Sequence, residues 1–189
     1  MTGSSDGAPT GGPHEWFRRS RDLLERGDAG ASLVLIERVL QEDPTSLAAR
    51  EIRARALFDS QHYNESAEEF GEIVEQRPDD DYAHYGLGMS LWRLQQFPEA
   101  ADHLALACVM RPDDVRYSRA LGQVRATLRA REEADLPLSG PIGDTDDQAH
   151  AASPIVPGTL IQEIWPDRTD LDRHGVDAEG DEPDGMLPS

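Results

Sequence analysis

Lysine is absent from this chain, whose eighteen basic residues are all arginine. No side-chain amine is therefore present for acetylation or isopeptide tagging. The single cysteine, Cys108, excludes an intramolecular disulfide and reads as a small core residue. A reducing, cytoplasmic setting is the expected compartment. Long apolar runs are missing, so no membrane-spanning helix is expected. Met1–Pro13 is rich in Gly, Ser, Thr and Pro without a basic start or an apolar stretch, which argues against a secretory leader. The histidines, at 14, 62, 84, 103, 150 and 174, form no pair at metal-ligand spacing on one helix face and have no supporting cysteines. His84 and His103 read as partly exposed surface or packing residues. No glycine-rich phosphate loop or nucleophile elbow is present. These absences predict a protein without catalytic activity, cofactor or metal.

Charge is plentiful but uneven. Residues 132–189 hold fifteen acids against Arg168 and Arg173, a net of −13 out of −19 for the whole chain. That segment is rich in Asp, Pro and Gly and lacks helical periodicity over most of its length, so it is expected to be disordered. So acidic a protein is not expected to bind nucleic acid.

The positive signal is a period. Pro44, Pro78 and Pro112 stand 34 residues apart, and aligning the chain on them makes other columns coincide. Ser20, Ala54 and Gly88 are all small, and Leu23, Leu57 and Leu91 follow three residues later. Ala29, Tyr63 and Phe97 open the second half, followed by the small Ser32, Ser66 and Ala100. Then come Ile36, Phe70 and Leu104, and Val39, Ile73 and Ala107. Steps of three and four within each half predict amphipathic helices near 14–26, 30–42, 47–60, 63–76, 81–95, 98–110 and 114–132. Small residues opposite large ones set how closely two helices approach. Thr45, Ser46, Asp79 to Asp81, Asp113 and Asp114 follow the prolines as candidate N-caps.

This pattern resembles the tetratricopeptide repeat family. Residues 13–112 align as three repeats, with 113–131 as the solvating helix that usually follows the last one. Trp16 matches the family's aromatic position, Leu87 and Gly88 its Leu-Gly pair, Gly27 its turn glycine, and Phe97 with Ala100 its second-helix opening. Arg19 and Arg53 stand where the family prefers leucine, and Ala29 replaces the usual aromatic. The resemblance implies an all-α, right-handed helical-hairpin solenoid. The repeats would span 13–46, 47–80 and 81–114 within a domain of 14–132, closed by a capping helix at 114–132. A disordered 1–13 would precede it and an acidic disordered tail, 133–189, would follow.

The resemblance also implies a function: a non-enzymatic adaptor or scaffold whose concave groove, lined by the first helix of each repeat, binds a protein or peptide segment. Carried over by position, that face offers His14, Phe17, Arg18, Arg21 and Leu24, then Glu51, Arg55, Phe58 and Asp59. Tyr82, Tyr85, Met89, Trp92 and Arg93 continue it, and Arg116 with Arg119 end it. Aromatic and arginine side chains dominate binding hot spots because they bury large area and make directed, charge-assisted bonds. Trp92 is the first choice among them, then Tyr85, Phe58 and Arg55. Some family members clamp a C-terminal carboxylate with lysine and asparagine. The matching positions here hold Phe17, Arg21, Ile52, Tyr82 and Gly86, of which only Arg21 could serve. An Arg/aromatic groove for an acidic-apolar peptide is the better expectation. The alternative is a structural subunit that assembles through its outer face or solenoid end.

One stretch of the tail differs from the rest. Leu160, Ile161, Ile164 and Trp165 form an apolar cluster flanked by Glu163, Asp167, Asp170 and Asp172. That composition suits a short linear motif over 158–172, complementary to the groove in charge and aromatic content. A flexible linker of about 27 residues spans roughly 30 Å r.m.s.. Intramolecular docking that occludes the groove is therefore a geometric option, beside a motif read by another protein.

Overall fold

The computed structural model describes residues 11–141 and Trp165. Seven helices follow in order: α1 Pro13–Glu25, α2 Ala29–Glu42, α3 Leu47–Asp59, α4 Tyr63–Gln76, α5 Asp81–Arg93, α6 Phe97–Met110 and α7 Val115–Glu133. Each packs mainly on its neighbours in the chain, which makes a stack of helical hairpins. Among the described residues there is no strand.

Local chemistry sets the helix starts. Asp28, Ser46 and Asp80 accept hydrogen bonds from the Ala31, Ala49 and Ala83 amides, and Asp114 accepts from that of Arg116. The turn inside each hairpin needs a left-handed residue at the same place in the period. Gly27 meets this at φ 82° without strain, whereas Gln61 and Gln95 take φ 65° and 60°. Each glutamine costs about 1 kcal/mol there, and the tertiary packing on either side holds it.

The small columns do more than make room. Ser20 donates to the Ser32 carbonyl at 3.0 Å and shares a 2.8 Å hydrogen bond with its hydroxyl. Ser66 donates to the Ala54 carbonyl at 2.9 Å and meets the Ser90 hydroxyl at 3.0 Å. These buried hydroxyls are satisfied across helices, so their burial is not penalised. At Gly88 a Cβ would stand 2.7 Å from Leu104 Cγ and 3.2 Å from the Ala100 carbonyl oxygen, so α5 and α6 approach only because it is glycine.

Arg53, at a position where leucine was expected from the resemblance, is used electrostatically. Its Nη1 donates to Glu69 at 2.9 Å, and its Nε lies 2.9 Å from Glu37, tying α3 to α4 and α2. Arg50 also donates to Glu69 at 2.9 Å. Burial pushes the Glu69 carboxyl above its ordinary value, with Arg53 and Arg50 pulling the other way.

The apolar core falls into two clusters. One joins α1, α2 and α3 around Leu24, Ile36 and Ile52. The larger runs from α3 to α7 around Phe70, Leu104 and Tyr117, and Trp165 belongs to it. Helix α5 is buried from Tyr82 to Ser90, as its position between α4, α6 and the inner face requires. Tyr117 donates to Asp81 at 2.8 Å, and Arg111 Nε lies 2.9 Å from the same carboxylate, which keys α7 to the start of α5. Beyond α7, Arg131 donates to the Pro137 and Gly140 carbonyls, and the Gly140 amide donates to Gln95, so the chain folds back along the third hairpin.

His84 and His103 pair, which the sequence spacing does not reveal. Their Nδ1 atoms are 3.0 Å apart, and His84 Nε2 lies 3.0 Å from the Pro78 carbonyl. That carbonyl can only accept, so His84 carries its proton on Nε2 and His103 donates from Nδ1. Burial, and then His84, lower the His103 pKa, with Asp102 opposing. A lowered histidine pKa means the unfolded chain binds the proton more tightly, so stability is lost as pH falls through 6.5 toward the folded value. The melting temperature should therefore drop more between pH 7.5 and 5.5 in the wild type than in His103→Gln. Equal drops would show that His103 does not titrate with folding.

Candidate functional site

The inner face is built from residues at helical spacing: Arg55, Phe58 and Asp59 on α3, Tyr82, Tyr85 and Met89 on α5, and Arg116 on α7. Phe70 of α4 reaches the same face from behind, because Gly86 leaves space for its ring; a Cβ there would overlap it.

Trp165 is seated in this face with 3% of its surface exposed. Phe70 lies stacked under the indole at 5.8 Å between centroids, and Tyr82 is tilted against it at 5.6 Å. Phe58 and Tyr85 present their edges at 5.1 and 6.1 Å. The Arg55 guanidinium lies 5.7 Å from the ring centroid, within cation–π range. The polar atoms are matched as well. Trp165 Nε1 donates to Asp59 Oδ1 at 2.9 Å, and Arg116 Nη1 donates to the Trp165 carbonyl at 3.0 Å.

Of the two polar partners, Arg116 is held from behind. Arg116 gives its Nε and Nη2 to Asp114, each at 3.0 Å, which fixes the direction of the remaining nitrogen. The Asp59 side chain is nearly covered, and burial raises its pKa while the Trp165 hydrogen bond and then Arg55 lower it. Tyr85 stacks on Tyr117 at 4.6 Å, and burial pushes its phenol well above the ordinary value, so it is neutral. The site is therefore an aromatic cage in which Asp59 accepts from the indole and Arg116, its direction fixed, donates to the main chain. Among the described residues no group of three or more His, Cys, Asp or Glu is placed to hold a metal.

The structure brings Arg55, Phe58, Tyr82, Tyr85 and Arg116 together around Trp165. Arg93 borders them, over the Phe58 and Tyr63 rings at 5.7 and 5.5 Å. Met89 is buried in the larger cluster, and Trp92 lies half-buried against that cluster, outside the ring contacts of Trp165. Phe17 packs half-buried on the smaller cluster, into which Leu24 is wholly absorbed. Arg18 and Arg119 are exposed, and Arg21 Nε lies 3.9 Å from Glu25 on its own helix. Leu160, Ile161 and Ile164 lie outside the described residues. Sequence reasoning assigned Phe70 to the helix-packing column alone. The available signal was Gly86, a glycine on the inner face within reach of an aromatic where the other two repeats carry Ile36 and Leu104.

Residues 53–115 match the tetratricopeptide repeat family model. No curated protein is similar enough in sequence to count as a relative. Among solved structures, MamA from Desulfovibrio magneticus RS-1 superposes with a TM-score of 0.60 at 19% identity, over 66% of this chain and 70% of that one. The Sgt2 TPR domain from Aspergillus fumigatus gives 0.59 at 20% identity, over 79% and 98%. The second TPR domain of human RPAP3, in complex with the HSP70 peptide SGPTIEEVD, gives 0.54 at 17%, over 60% and 98%. At these identities the likeness establishes the fold. The family match over residues 53–115 and these likenesses agree that the seven-helix domain has the fold of a tetratricopeptide-repeat solenoid.

Proposed function

We propose that this protein is a non-enzymatic adaptor that binds a peptide segment on its inner Arg/aromatic face, and that its own tail competes for that face. The observation that supports this is Trp165, a residue far along the acidic tail, seated among four rings with its main-chain carbonyl held by Arg116. Capture of both an anchor side chain and a main-chain oxygen is how a groove engages an extended peptide. The RPAP3 domain similar in fold is solved with a peptide bound. The face described here uses arginines and a cage, so it suits a ligand with an internal aromatic anchor and acidic flanks better than a terminal carboxylate. Among the described residues no helix is long and apolar enough to cross a membrane.

A tethered segment acts at an effective concentration on the order of millimolar. With an intrinsic affinity of about 0.1 mM the tail would occupy the face about nine-tenths of the time, and a competing ligand would bind about tenfold more weakly. A fluorescein-labelled peptide of residues 158–172 should therefore bind full-length Trp165→Ala about tenfold more tightly than wild type in an anisotropy titration. No binding to a folded Trp165→Ala chain would overturn the proposal.

A further inference from the structure

Resting on that reading, the geometry points to the kind of ligand: we propose that the inner face selects tryptophan, so that the partner displacing the tail presents an indole. Apolar shape alone would accept any large ring, and the rings of Phe58, Phe70, Tyr82 and Tyr85 supply that shape. Asp59 makes the distinction. Its Oδ1 takes the indole N–H at 2.9 Å, at the end of the cage where a phenylalanine ring has no polar atom. Arg55, its nearest cation, keeps Nε 4.0 Å from Oδ2, and that Nε is buried without a hydrogen-bond partner. With a phenylalanine or leucine in the cage, Asp59 would be a covered carboxylate without the indole donor, and the Arg55 contact is too long to replace it. A site built around a hydrogen bond rejects the analogue lacking it, because its own polar group is left unpaired.

Arg116 contributes a different reading. It takes the carbonyl of the anchor residue, a group that every residue carries, and Asp114 fixes its direction. It therefore sets the register of the bound backbone without distinguishing sequences. Indole N–H for identity and carbonyl for register together describe a tryptophan residue held through both its side chain and its main chain.

The test uses the full-length chain carrying Trp165→Ala, checked for helical content by circular dichroism. Three versions of the 158–172 peptide serve as probes: native, W165F, and one with 1-methyltryptophan at that position. Methylation keeps the ring and removes the donor. The native peptide should bind about tenfold or more tightly than either of the others. Adding Asp59→Ala should make all three equal, while Asp59→Asn, which keeps an acceptor, should restore the preference. Native and 1-methyl peptides binding within twofold of each other would overturn tryptophan selection and leave the peptide-binding reading standing. If none of the three bound, the peptide-binding reading itself would fall. Should Trp165→Ala not fold, Trp165→Phe keeps a ring in the cage, and the native peptide should displace it while the W165F peptide should not.

Discussion

Phe70→Ala should lower stability by about 3–5 kcal/mol, the usual cost of emptying a fully buried phenylalanine site. Its ring is wholly buried, lies under Trp165 and faces Tyr82 at 6.3 Å, so the loss includes the floor of the cage as well as core volume. On a domain of this size the melting temperature should fall by about 15 °C. The partner of this prediction is Gly86. In the wild type a methyl group there would overlap the Phe70 ring, so Gly86→Ala should destabilise by about 1–3 kcal/mol. Once Phe70 is alanine the clash is gone, and alanine gains about 1 kcal/mol of helix propensity over glycine. Gly86→Ala should then reverse sign and stabilise. Urea denaturation of the two single variants and the double variant measures this. Costs that simply add would show that the ring is not what requires glycine at 86.

Glu69→Ala should cost about 2–3 kcal/mol, somewhat less than removing one partner of a fully buried ion pair. The discount has two sources in the structure. Arg53 keeps a third of its side chain exposed, and each arginine retains a second acid, Glu72 for Arg50 and Glu37 for Arg53. Burial, with Glu72 beside it, raises the carboxyl's pKa against the pull of the two arginines, in keeping with a charge that is costly to cover. The network is thus costly to break from one side without being a large net source of stability. Replacing Arg53 and Glu69 together by leucine should recover most of the loss, since that pair leaves together and Arg50 keeps Glu72. Urea midpoints near that of Glu69→Ala for the double variant would show instead that the ion pairs themselves hold α3 against α4.

The helices were legible because their causes are local and periodic. Prolines at a fixed spacing, small residues in register and acidic or hydroxyl caps place α1 to α7 within one or two residues of the expected bounds. The arginine at 53 was legible only as a departure from a leucine position. Its use depends on Glu37 and Glu69, 16 residues away on either side, and no repeat column connects them. The histidine pair was hidden for the same reason: positions 84 and 103 meet across α5 and α6, not along one helix.

The inner face was legible in part. The family resemblance assigned Arg55, Phe58, Tyr82 and Tyr85 to one face, and the structure gathers these four around Trp165. Choosing among the aromatics was beyond it. Trp92 carries the same chemistry as the best anchors but packs on the edge of the core, while Phe70, on a second helix, comes forward through the gap at Gly86. By itself the sequence determined the period, the helices, the absence of amine chemistry and the split of charge, since each is a property of residue type and order. Only the tertiary structure decided which side chains converge on one point, and that Asp59 and Arg116 complete a cage around Trp165. The physical reason is that convergence depends on small differences in bulk between packed helices, and pairing of a buried donor depends on ångström-scale placement that no one-dimensional pattern carries.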